Sequence, residues 1–147
     1  MKRLAIGVLL AAAAWAESPF VGTWKLDAAK TKFTAGEAPH DETIVVADEG
    51  DHATVRTTGT TASGRPISIR YSVPVKGGAA QIEESPCDAM TVTRTGSNVA
   101  DTVCTRRGRQ IGTRHTVISD DGKTMTATVD GIDARGRISG VEVYDKQ

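Results

Sequence analysis

Ile67-Ser68-Ile69-Arg70-Tyr71-Ser72-Val73-Pro74-Val75 sets an apolar side chain at every second position, with Ser68, Arg70 and Ser72 between the first four. Successive side chains leave an extended strand on opposite faces, so this stretch builds one apolar face and one wet face. Thr124-Met125-Thr126-Ala127-Thr128-Val129 repeats the pattern with threonine on the wet side. Outward from these two, strand-length stretches fall at 21–27, 42–48, 52–59, 66–75, 80–84, 90–95, 98–106, 109–118, 123–130 and 137–144. Short connections separate most of them, among them Asp48-Glu49-Gly50-Asp51, Lys76-Gly77-Gly78, Gly96-Ser97, Arg107-Gly108, Asp120-Asp121-Gly122 and Ala134-Arg135-Gly136. Hairpin turns need positive φ, which glycine supplies. The one helix-like segment, 27–32, is a turn or two. The expected fold is an all-β, antiparallel up-and-down barrel of about 8–10 strands with no substantial helix, because closure removes exposed edges.

Composition narrows the function. The 147 residues are one domain's worth of chain. Eighteen Lys+Arg balance eighteen Asp+Glu, so there is no basic excess to hold nucleic-acid phosphates. Lys2 and Arg3 precede the apolar run Leu4 to Ala14, and Ala14-Trp15-Ala16 is a signal-peptidase site. Eleven apolar residues are about half of the ~20 that cross a bilayer. The reading is a signal peptide at 1–16, a single domain at 17–147, and a periplasmic or extracellular protein. Glu17 rather than a cysteine follows the site, so no lipid or membrane anchor is expected after cleavage. Cleavage leaves Trp24 as the only tryptophan. It reads as a plug at the barrel floor packed under an arginine, or as a ring on which a ligand stacks.

Two cysteines are too few for a disulfide scaffold or a four-ligand zinc site. If Gly96-Ser97 tips a hairpin with Thr95 facing Asn98, Cys87 falls beside Cys104 to Arg106. A Cys87–Cys104 disulfide is expected in an oxidising compartment; closing its loop of about 18 residues is worth about 3 kcal/mol in the chain-entropy account. The same hairpin puts Met90, Val92 and Arg94 on one face with Val99, Asp101 and Val103, bringing Arg94 within reach of Asp101 inside the barrel. The turn at Arg107-Gly108 admits two registers, setting either Arg114 or His115 opposite Asp101, and a one-residue slip reverses every side chain. A buried charge needs a partner. The interior is therefore read either as a structural ion pair or as a polar lumen that recognises a ligand.

The two ends of the chain resemble known families. Phe20-Val21-Gly22-Thr23-Trp24-Lys25-Leu26 resembles the G-x-W opening of lipocalins and fatty-acid-binding proteins, and Val143-Tyr144-Asp145-Lys146 looks like the closing strand of the latter. Gly22, Trp24 and Tyr144 carry the structural part of that resemblance. Gly22–Leu26, Ala29–Phe33, Ser119–Thr126 and Val143–Asp145 together resemble a group of small secreted bacterial proteins with no assigned function. Fatty-acid-binding proteins hold the lipid carboxylate with R-x-Y on the last strand. Here that spacing reads Glu142-Val143-Tyr144, and a carboxylate cannot clamp a carboxylate.

The sequence singles out no catalytic set, metal site or cofactor; any two strands can bring two acids together for acid–base work, nothing selects a pair, and a hydrolase or isomerase is the third reading. In a hairpin of 42–48 and 52–59, His40 sits at the base and His52 near the tip, roughly 20–25 Å apart at ~3.3 Å per residue. No serine occupies a G-x-S-x-G elbow, and Asp120-Asp121-Gly122 lacks the later carboxylate of a calcium loop. Successive turns of a meander alternate between ends. That gathers Asp48, Glu49, Asp51, Asp120 and Asp121 at one end and Lys30, Lys32, Arg65, Arg106, Arg107, Arg109, Arg135 and Arg137 at the other, where Glu37, Asp41, Asp88 and Asp133 offset part of the charge. In lipocalins the long first loop lies at the open end, so the resemblance puts the basic rim around the mouth. Arginine forks suit carboxylate or phosphate. The leading reading is an exported barrel binding a small anionic or amphipathic molecule, with Arg94, Arg106, Arg107, Arg109, Arg114, His115 and Arg135 as candidate ligand residues. The alternative is a secreted interaction module or inhibitor with a solid core, acting through its rim loops. A void of several hundred Å³ separates the two.

Overall fold

The computed structural model describes residues 18–147 as an antiparallel, all-β, nearly closed barrel; the leader reading at 1–16 lies outside the described residues. The first half holds β1 (Gly22–Leu26), β2 (Lys32–Ala35), β3 (Pro39–Asp48), β4 (His52–Thr61), β5 (Pro66–Pro74) and β6 (Gly78–Ala79). The second holds β7 (Gln81–Glu84), β8 (Ala89–Gly96), β9 (Val99–Arg106), β10 (Arg109–Ile118), β11 (Thr124–Asp133) and β12 (Gly136–Lys146). Neighbours run β6-β8-β9-β10-β11-β12-β1-β3-β4-β5-β7, so the first strand closes onto the last. Trp24 pairs with Lys146 on one side and with Ile44 on the other. The ring is left unladdered at one seam, between β7 on the edge of β5 and β8 with its short partner β6.

Two strands exceed the ten read from sequence. β2 is four residues, Lys-Phe-Thr-Ala, too short to show an alternation. It pairs with the first half of β12, extending the track that β1 lays along the second half. The stretch around Ala80 splits because the chain crosses the seam there: Gly78 and Ala79 pair with β8, and Gln81 to Glu84 with β5.

The β8–β9 register also differs. A bulge between Arg94 and Gly96 shifts the ladder by one, so Arg94 faces Ala100 and Met90 faces Cys104. The inward face is Met90, Val92 and Arg94 with Ala100, Thr102 and Cys104. The expected Arg94–Asp101 contact does not exist. Asp101 instead pairs with His115 across β9–β10, where Nδ1 lies 2.5 Å from Oδ1 on half-exposed side chains. Cys87 and Cys104 form the disulfide, with Cα atoms 5.6 Å apart.

The core gathers at one end. Trp24, Tyr144 and Ile118 are completely buried and pack with Ile44, Val46 and Met125. The Trp24 indole N–H donates to the Phe20 carbonyl at 2.9 Å. Lys146, not an arginine, lies over the Trp24 ring, its Nζ 5.5 Å from the centroid. Gly22 permits this: its φ is +139°, and a Cβ there would meet Lys146 Cε at 2.8 Å. Arg94 covers the neighbouring Phe20 ring at 4.6 Å and donates to the carbonyls of Ser97 (2.9 Å) and Val75 (3.3 Å). A guanidinium over an aromatic face with carbonyl partners is a stable floor element.

Candidate ligand-binding cavity

Away from that floor the barrel is hollow. A cavity of about 890 Å³ is walled by Ile67, Ile69, Tyr71 and Val73 from β5, Met90 and Val92 from β8, and Val129 from β11. Its exposed lining residues at the end opposite the Trp24 core include Arg65, Arg106, Ile132, Asp133 and Ala134, which mark a mouth. A few hundred to a thousand Å³ of mostly apolar space with a few convergent polar groups is the usual form of a small-molecule site.

The convergent polar groups are Glu42, Arg114, Glu142 and Tyr144. Alternation builds them inward: Glu42 shares a face with Ile44 and Val46, and Glu142 shares one with Gly140 and Tyr144. Arg114 points inward because a β-bulge between Gln110 and Gly112 selects the register in which Arg114 faces Thr102. Arg114 Nη1 donates to Glu142 Oε1 at 2.6 Å, and its Nη2 lies 3.4 Å from the Tyr144 hydroxyl oxygen. The Tyr144 hydroxyl is bonded to Glu42 Oε1 and lies 3.1 Å from Glu142 Oε2.

Protonation follows from this crowding. Burial first, and the nearby Glu142 charge second, push the Glu42 carboxyl up to about 7, although Tyr144 and Arg114 pull the other way. Burial likewise raises the Tyr144 phenol, so it stays neutral. Burial works against the Arg114 charge, but Glu142, Tyr144 and Glu42 more than offset it, and the guanidinium remains protonated. The set has one phenolic hydrogen for two carboxylates. A proton on Glu42 completes it: Glu42 donates to the tyrosine oxygen, Tyr144 donates to Glu142, and Arg114 donates to Glu142. Once Glu42 ionises, the cluster carries one carboxylate more than its single guanidinium balances.

The residues singled out from sequence scatter. Arg94 lines the cavity at its floor and Arg114 on its wall, while Arg106 stands at the rim. Arg107 and Arg109 lie beside the rim but do not line the space. Arg107 adopts a φ of 51° in its turn, with its backbone N–H donating to Asp88 Oδ2 at 2.7 Å. Arg135 is held by Glu37 Oε2 at 3.3 Å, and the same oxygen takes Arg65 at 2.8 Å. Hydrogen bonds from Ser63 and Arg65 hold the Glu37 carboxyl down to about 2. His115 faces outward with Asp101. Sequence reading did not single out Glu42 as a site residue and took Glu142 only as a departure from a family pattern. The signal was there: an acid on the apolar stripe of β3, two residues before Ile44.

Among solved structures, EF1p2_mFAP2b bound to DFHBI is similar over 88% of this chain and 94% of its own, with a TM-score of 0.55 at 11% identity. The zebrafish ileal bile acid-binding protein complexed with cholic acid is similar over 88% of this chain and all of its own, with a TM-score of 0.53 at 13% identity. The likeness is one of fold alone, an antiparallel, nearly closed, lipocalin-like barrel. Lobster apocrustacyanin A1 overlaps more loosely, with a TM-score of 0.43 at 10% identity over 90% of this chain and 63% of its own. No protein-family model and no curated protein sequence matches the chain, so the resemblance to a secreted bacterial group rests on its four sequence blocks.

Proposed function

We propose that this protein is an exported carrier or sensor that holds a small anionic or amphipathic molecule inside its barrel. The observation that carries this is the cavity of about 890 Å³, which a solid-cored interaction module would not have. Export is supported by the leader pattern at 1–16 and by the Cys87–Cys104 disulfide, which persists in oxidising compartments. The apolar body of the ligand lies along the isoleucine and valine walls. An anionic group belongs at the mouth, beside Arg106 and within the field of Arg107 and Arg109, because the inner Arg114 is already engaged by Glu142. Arg65 and Arg135 contribute less charge there, since Glu37 neutralises part of it. Binding rather than catalysis is the proposed activity.

The test is titration of the purified mature protein with dodecanoate, followed by Trp24 fluorescence or calorimetry at low and moderate salt. Binding that weakens with salt, and weakens further when Arg106, Arg107 and Arg109 are changed to Glu, is the expected result. Binding indifferent to salt and to these changes removes the anion from the mouth. Failure of every amphipathic probe to enter removes the carrier reading.

A further inference from the structure

The inner end of the cavity has a polar group with an unmet need. Glu42 is only 6% exposed, lines the cavity, and bonds through Oε1 to Tyr144. Among the described residues its other oxygen, Oε2, has no protein partner. The charged and titratable groups facing it are Glu142 and Tyr144 from β12 and Arg114 from β10. Its neighbour across β4, Gly59, carries none. Arg114 spends its shorter contact, 2.6 Å, on Glu142, leaving Glu42 without a cation of its own.

Ionised carboxylates that are taken out of water need a counter-charge, and an unpaired one is costly. An apolar ligand would leave Glu42 to be neutralised by a proton. A ligand bearing an ammonium would supply both the donor and the charge. From the free Oε2 and the two-carboxylate, one-guanidinium balance, we infer that the inner end of the cavity is a recognition site for the protonated amino group of an amphipathic amine. The inference rests on the carrier reading and specifies which end of the ligand enters first. Combined with the arginines of the mouth, it makes the ligand class bipolar: ammonium inward, apolar body along the wall, anion outward.

The geometry sets a pH dependence. The amine stays protonated across the neutral range, whereas Glu42, held up to about 7 chiefly by burial, changes charge within it. Ammonium recognition strengthens as pH rises from 6 to 8.5.

Three probes of equal chain length separate the possibilities: 12-aminododecanoate, 12-hydroxydodecanoate and dodecanoate. At pH 8.5 the amino compound is expected to bind at least tenfold tighter than dodecanoate, with the hydroxy compound between them. Glu42→Gln is expected to bring the ratio of amino compound to dodecanoate close to one. Should that variant fold poorly, the same ratio in the unaltered protein decides, shrinking severalfold at pH 6. Equal affinity for the amino compound and dodecanoate, equal affinity for the amino and hydroxy compounds, or a ratio flat with pH would each overturn the ammonium site. Dodecanoate binding alone leaves the carrier reading standing, whereas no binding by any of the three removes both.

Discussion

The two halves of this barrel obey the same alternation and do opposite things with it. At the floor the inward positions are large: Trp24, Tyr144, Ile118 and Met125 interlock, and little space remains. Toward the mouth the lining positions include Thr57, Thr61, Gly112 and Gly131, and the interior stays open. Gly140 makes room of another kind, since a Cβ there would stand 2.4 Å from the Phe33 ring of β2, which itself lines the cavity. Pattern sets which way a side chain points, and volume decides whether the strands enclose a core or a pocket. Stability should therefore be concentrated in one half and ligand response in the other.

Breaking the floor gives the largest expected effect. Trp24→Ala removes a fully buried ring from the main cluster and should cost about 3–5 kcal/mol in denaturant unfolding. A variant that keeps its midpoint would show that the floor is not the stabilising half.

Next comes the disulfide, which ties the Cys87 segment to β9 beside the unladdered seam. Cys87→Ala with Cys104→Ala should cost about 3 kcal/mol by loop closure. Amide exchange should rise first in β7 and β8; uniform acceleration around the ring would mean that the seam is no weaker than the rest.

The interior acid sharpens the contrast through pH. Glu42 is raised in the folded state from 4.5 to about 7, so the native protein binds more protons than the unfolded chain between those values. Its contribution is full below the unfolded value and is lost as pH climbs through about 7, a fall on the order of 3 kcal/mol. Glu42→Gln should flatten that slope and leave the protein more stable than the parent at pH 8. A parent whose stability rises over this range contradicts the assignment.

The smallest change is expected from Ile69→Ala on the cavity wall. Its side chain already faces open space, so the cost should be about 1 kcal/mol. Its effect should appear instead as weaker binding of dodecanoate.

Much of this architecture is legible in the sequence, because alternation and turn glycines are local signals. The stretch 67–75 and the threonine face of 124–128 specify strand and inward side without reference to any distant residue. What escapes is whatever a bulge controls. One extra residue near Gly96 moved Arg94 away from Asp101, and one near Ile111 set Arg114 inward and His115 outward. The binding cluster was harder still, since Glu42, Arg114 and Glu142 come from three strands whose proximity only closure creates. The acidic tips, by contrast, turn out to serve their own turns. Asp48 accepts from the Gly50 amide at 2.8 Å and Asp121 from the Lys123 amide at 3.0 Å. Residue type at a loop tip can thus be satisfied by local geometry with nothing left over for a partner.

Closure of β1 onto β12 has a consequence for how the molecule comes into being. The pair Trp24 and Lys146 joins residues from the two ends of the described chain, and the floor cluster needs Tyr144 as much as Trp24. During synthesis β3, β4 and β5 can zip into a meander, yet the first strand has only one of its two neighbours until β12 emerges. Contacts of such long sequence separation are slow to form, because the entropy of the whole intervening chain is lost before they repay it. The nascent protein thus keeps an open β-edge until its last strand arrives, and that waiting edge is where it is most exposed to aggregation.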